Sequence, residues 1–245
     1  MRRFVVVAVV IGCGRIGFEQ HVAGDGSPAD LAIDGPPARL VQVLAPGYGS
    51  AASMSIVIDE TAGDLVVAPV YWHQDPDTVT LTDTAGLAWQ SRPAVVVPGC
   101  ITTNGNATGA QLYYAQVAAT GTNTVTVTQT SGVQPLGLML VEYANAMASV
   151  DAFSMVMAPA SSNAMAATPI TTSVPAVVIG FFNDTIGGGN DGSGSGFTAE
   201  ARDTGFPNIV EDTIGPPGLY SPTATLFVGG NDACWVAFAI AFPVR

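Results

Sequence analysis

The residues best suited to chemistry stand together at Tyr71-Trp72-His73-Gln74-Asp75-Pro76-Asp77, at the end of an apolar run. Aromatic faces can stack on sugar rings while imidazole and carboxylate groups bond the hydroxyls. Tyr71, Trp72, His73, Asp75 and Asp77, with Trp89 nearby in sequence, therefore form a candidate glycan platform. The plainer alternative is a loop whose aromatics pack over a core edge. Hydrolysis finds less support. In Gly192-Ser193-Gly194-Ser195-Gly196 the residue two places before each serine is not the glycine that a nucleophile elbow requires: Asp191 precedes Gly192-Ser193, and Ser193 precedes Gly194-Ser195. The two histidines, His21 and His73, lie outside any H-E-x-x-H setting, and the three cysteines form no C-x-x-C pair. Carboxylates paired across strands would be invisible in sequence, which leaves a hydrolase as the weakest reading. Asp75, Asp77, Asn104-Gly105-Asn106 and Asn190-Asp191 offer hard oxygens, but none has the spacing of an EF-hand. The expectation is a protein that is not an enzyme and has no resident cofactor. Calcium is the one ion these loops could suit.

Such groups need elements to carry them, and apolar periodicity points to strands throughout. In 79–82 and 123–128 apolar residues alternate with Thr, which gives one dry face and one wet face. In 64–71, 136–143, 176–182 and 234–242 both faces are apolar. The last is the clearest: Val236, Phe238, Ile240 and Phe242 fall on one side, and Trp235, Ala237, Ala239 and Ala241 on the other. Two such strands from each half of the chain are expected to join in one sheet with an apolar outer face. A face of that kind is rarely left in water. It should pack against the N-terminal segment, the 158–175 bridge or a neighbouring subunit, with Trp235, Ala237, Ala239 and Ala241 as the interface. The bridge, rich in Ala, Ser, Thr, Pro and Met, is expected to hold one short helix.

Composition narrows the class. With 48% hydrophobic residues, 28 Gly, 17 Pro and 11% charged residues, the 245-residue chain fits many short strands joined by turns. Acidic residues outnumber basic ones 19 to 7, for a net charge of −12, and nucleic-acid binding needs the opposite balance. Residues 1–38 read as an N-terminal arm or connector ahead of a domain at 39–245. Met1-Arg2-Arg3, the run Phe4–Gly12 and Cys13 also resemble a signal segment ending in a lipobox, in which Cys13 would carry lipid. As a helix the run is too short to span a bilayer. Cys234 reads as a buried apolar residue, with a Cys100–Cys234 bridge left open.

The order Thr61–Val67, then Val79–Trp89, resembles a jelly-roll β-sandwich module of the kind found in tailed-bacteriophage structural proteins and in bacterial secreted and surface proteins. Gln111–Ala115, Gly121–Val127 and Leu140–Tyr143 extend the likeness, which covers about residues 39–245. The resemblance implies an all-β, two-sheet antiparallel jelly roll, with each half of the chain giving one four-strand Greek key. It also implies a building block, adhesive tip or glycan binder, with no shared catalytic residues. The leading expectation is a structural subunit of a virion surface, such as a capsid decoration, or of another extracellular assembly, acting as a homo-oligomer or beside other subunits. The alternative is a carbohydrate-binding or adhesive module tethered to a bacterial cell surface through Cys13.

Overall fold

The computed structural model describes residues 36–45, 47–73, 78–97, 108–130, 132–158, 164–184, 192–203, 208–225 and 234–245. All belong to the unit Ile33–Arg245. The first half contributes β1 (Arg39–Leu44), β2 (Tyr48–Ala51), β3 (Ser53–Glu60), β4 (Leu65–His73), β5 (Val79–Asp83), β6 (Gln90–Ser91) and β7 (Val95–Val97). It continues with β8 (Thr108–Gln116), β9 (Gly121–Gln129), β10 (Gln134–Leu138) and β11 (Leu140–Ala144). The second half supplies β12 (Ala152–Ala158), β13 (Ala164–Ala166), β14 (Ile170–Thr171), β15 (Ala176–Asp184) and β16 (Gly192–Ser193). It ends with β17 (Thr198–Arg202), β18 (Ile209–Gly215), β19 (Leu219–Tyr220), β20 (Thr223–Thr225) and β21 (Trp235–Pro243). The protein is all-β and every pairing is antiparallel. Among the described residues no helix is long and apolar enough to cross a membrane.

Turn chemistry sets the strand entries. Gly63 (φ 91°) turns the chain into β4, and Gly86 (φ 72°) closes the turn after β5, both in the left-handed region that glycine enters without strain. Alternation then sorts the side chains. In β9 the inward residues Asn123, Val125 and Val127 are fully buried, while Thr122 and Thr128 face water. In β15 and β21 nearly every position is buried, because both of their faces are covered.

The covering comes from the chain itself. The inner sheet of the first half runs β1-β11-β4-β10-β2, with β8 on the other side of β4 and β6 and β7 beyond it. The inner sheet of the second half runs β12-β21-β15-β18-β17. These two pack face to face through Leu65, Val67, Tyr71, Val141, Tyr143, Ile179, Phe181, Phe238, Ile240 and Phe242, among others. The three-stranded sheet β3-β9-β5 covers the far face of the first, with Ile56, Ile58, Val125 and Val127 meeting Val66, Val70, Leu138 and Leu140. The small sheets β13-β20-β16 and β14-β19 cover the far face of the second through Met165, Ala167, Ile170 and Ala224.

Three expectations are thereby corrected. The doubly apolar strands do not share one sheet: β4 and β11 belong to the first half's sheet, β15 and β21 to the second's. Each half therefore builds its own pair of sheets instead of lending four strands to a common pair. Trp235, Ala237, Ala239 and Ala241 are not a subunit interface, because Met165, Ala167, Ile170 and Ala224 bury them to 6% exposure or less. The small side chains of Ala237, Ala239 and Ala241 let short covering strands lie close. Part of that covering is the 158–175 bridge, one of the covers expected; in place of the expected helix its described part forms β13 and β14.

The two halves also repeat one order. In each, the first strand borders the last, the last borders a long central strand (β4 or β15), and that strand borders β8 or β18. In each, an outer three-stranded sheet joins an earlier strand, the strand just after the central one and a later strand between them, as β3-β9-β5 and β13-β20-β16 do.

Candidate functional site

Neighbouring residues of a strand point to opposite faces, and this decides the fate of the aromatic platform. Tyr71 faces the second half and packs against Phe181 at 6.0 Å between ring centroids. Trp72 faces β3-β9-β5 instead. Their exposures are 0% and 1%. They cannot present one stacking surface to a sugar, and the platform reading is corrected on that ground. Trp89 is half-buried, and its indole Nε1 donates to Asp83 Oδ2 at 2.8 Å, which ties it to its own turn. The His73 backbone pairs with Thr108 in the β4–β8 ladder; its side chain, Asp75 and Asp77 lie outside the described residues. Cys13 and the calcium-ligand sets Asn104–Asn106 and Asn190-Asp191 also lie outside them.

The structure makes Tyr71 a join instead. Its hydroxyl donates to Asp203 Oδ2 at 2.7 Å, from β4 to the end of β17, inside the seam between halves. Burial and the Asp203 charge push the Tyr71 and Tyr48 hydroxyls well above the ordinary tyrosine value. Beside them, Asn183 Nδ2 donates to the Gly109 carbonyl at 3.1 Å, again linking the halves. The Asp184 amide donates to Asn208 Oδ1 at 3.3 Å, and the Asp203 amide to the Asn208 carbonyl at 3.0 Å. Elsewhere along the seam the Tyr143 hydroxyl faces Asp212, which sits beside Glu200. Burial raises all three groups, and their mutual proximity reinforces the rise for Tyr143 and Glu200. At the rim the Arg92 guanidinium of the first half stands 5.0 Å from the Phe153 ring of the second and 5.7 Å from that of Tyr114.

Within each half, buried carboxylates fasten strands and layers to one another. Glu142 accepts from the Thr61 amide at 3.0 Å and from Gln42 Nε2. Asn123 Nδ2 donates to Glu60 at 3.0 Å, while its Oδ1 accepts from the Thr84 and Ala85 amides. The sequence suggests that Asn123 serves its own turn; it holds the neighbouring one. In the second half Glu211 accepts from the Gly194 amide at 2.7 Å and the Thr223 amide at 3.0 Å. Burial pushes its carboxyl up to about 7, against the pull of those two amides and with added repulsion from Asp212. Neither Glu211, Glu142 nor Asp203 was legible as a join, because a strand carboxylate reads alike whether it faces water or a buried amide.

Chemically, these groups are suited to holding layers in register. The acidic neighbours Glu200 and Asp212 sit between strands beside Tyr143, and neither lines the pocket formed near the C-terminus. That pocket, about 470 Å³, is lined by Pro37, Ala38, Pro175, Ile214, Gly215, Pro216, Val244 and Arg245, with no carboxylate side chain. Among the described residues no cluster of His, Cys, Asp and Glu suits a metal. Cys234 is buried as expected but is disulfide-bonded, and the chain's other cysteines, Cys13 and Cys100, lie outside the described residues. No family model, curated protein or solved structure matches the chain.

Proposed function

We propose that this protein is a non-enzymatic structural subunit, a building block of a virion surface or another extracellular assembly, in which each half is a jelly roll. In the first half the inner sheet places β1, β11, β4 and β8 side by side under β3-β9-β5, and in the second it places β12, β21, β15 and β18 side by side under β13-β20-β16. This repeated arrangement supports the jelly-roll reading. One observation carries the functional reading: the buried polar side chains named above are spent on joining strands, layers and halves. Tyr71–Asp203, Asn183–Gly109, Glu211 with Gly194 and Thr223, and Asn123–Glu60 are all joins. A scaffold needs rigid, water-excluded seams of this kind; a turnover site needs convergent groups open to a ligand.

The reading is tested by quantitative mass spectrometry of purified extracellular particles and virions from the source culture. The chain should copurify at fixed stoichiometry with other structural components. Recovery solely as a soluble species, absent from every particle fraction, contradicts it.

A further inference from the structure

An edge strand displays a row of amide and carbonyl groups that can pair with another chain, and proteins usually blunt such edges with charge, irregularity or brevity. Most edges here are blunted. β17 carries Glu200 and Arg202 and a register shift between Ala199 and Ala201. β1 carries Arg39 and a shift between Leu40 and Gln42. β3 ends in Asp59-Glu60 and β5 in Asp83. β2, β6, β7, β13, β14, β16 and β19 have two to four residues each.

β12 is the exception among the described residues. Its seven residues, AFSMVMA, hold no charge and no proline, and its register with β21 runs unbroken from Ala152 to Ala158. Among the described residues it pairs on one side only. Met155 and Met157 are 38% and 48% exposed, on the same side of the strand as Phe153. In the repeated strand order β12 corresponds to β1, so the two halves differ at this edge: one is blunted and the other is open.

We propose that β12 pairs antiparallel with β12 of a second copy, across a two-fold axis centred on Met155, joining two inner sheets into one. The proposal rests on the building-block reading and names the surface through which the block joins. The second copy is the occupant for two reasons. Two-fold antiparallel pairing is reciprocal, so it sets Phe153 against Met157, Ser154 against Val156, Ala152 against Ala158, and Met155 against itself. Sulfur–aromatic contacts between Phe153 and Met157 then repeat on both sides of the axis. In addition, a chain of net charge −12 repels its own copy except over uncharged surface. β12 is the long edge that offers such surface, with the Arg92 cation beside Phe153.

Sedimentation velocity of the full chain across a wide concentration range tests this, together with Met155→Lys and Met155→Glu. The wild-type chain should dimerise. Each variant places like charges directly opposite one another at the axis and should weaken the dimer roughly tenfold or more. Mixing the two variants should restore a heterodimer, since Lys then meets Glu. Unchanged melting temperatures establish that each variant is folded. A wild-type chain that stays monomeric throughout, or a mixture that stays monomeric while wild type dimerises, overturns the proposal. A monomer that is nonetheless found in particles leaves the building-block reading standing without this edge. A dimer absent from particles does the reverse.

Discussion

Glu211 shows how a single buried carboxylate can set a pH response. It is fully buried beneath β16 and β20, and burial lifts its carboxyl from 4.5 to about 7 in the fold. The folded protein therefore keeps a proton that the unfolded chain releases as pH climbs. The stability tied to protonated Glu211 is complete below about pH 4.5 and is lost as pH rises toward 7. Melting temperature should fall across that window, and Glu211→Gln, which cannot ionise, should flatten the fall. A wild-type slope retained in the variant would assign the response to other groups. At the seam, Tyr71→Phe removes a buried hydrogen bond to a carboxylate and should cost about 1–3 kcal/mol in urea unfolding. A change within error would mean that this contact does not hold the halves together.

At the scale of elements, β4 is the strand on which the first half depends, and its neighbours are shaped around it. Gly137 on β10 lies opposite Tyr71, and Gly109 on β8 lies opposite Trp72. A Cβ at either glycine would overlap the facing aromatic ring. Both rings are buried and have nowhere to move, so Gly109→Ala and Gly137→Ala should each destabilise by about 1–3 kcal/mol. Calorimetry showing either variant as stable as wild type would refute this close fit. The sequence carried a signal for it, since an isolated glycine inside a strand often marks a close approach. Much else at this scale was readable: the alternation in β9 and the opposed faces of β21 follow from period-two patterning. Alternation also implied that Tyr71 and Trp72 face apart. The partners of β4 and β15 were not readable, because an all-apolar strand fits the middle of any sheet. The two- and three-residue strands β13, β14, β16 and β19 are too short to carry a period at all.

Across the whole molecule, the stacking of four layers follows from one compositional fact. Strands apolar on both faces require two covers each, and here both covers lie within the same chain. The all-β class was legible from this patterning together with the many glycines and few charges. The identity of the covering strands was not, because apolar surface specifies that it must be buried and not by what. Of the covers expected for the outer face of β21, the 158–175 bridge supplies β13 and β14, joined by β20, so the face is closed from within and the open feature moves to a strand edge. Hydrogen exchange on the dilute protein tests this self-closure most directly. Amides of β4, β11, β15 and β21 should be the slowest to exchange, and equally slow at every concentration. Rapid exchange in β15 and β21 on dilution, with protection returning as concentration rises, would show that a second chain supplies the cover and would contradict the account.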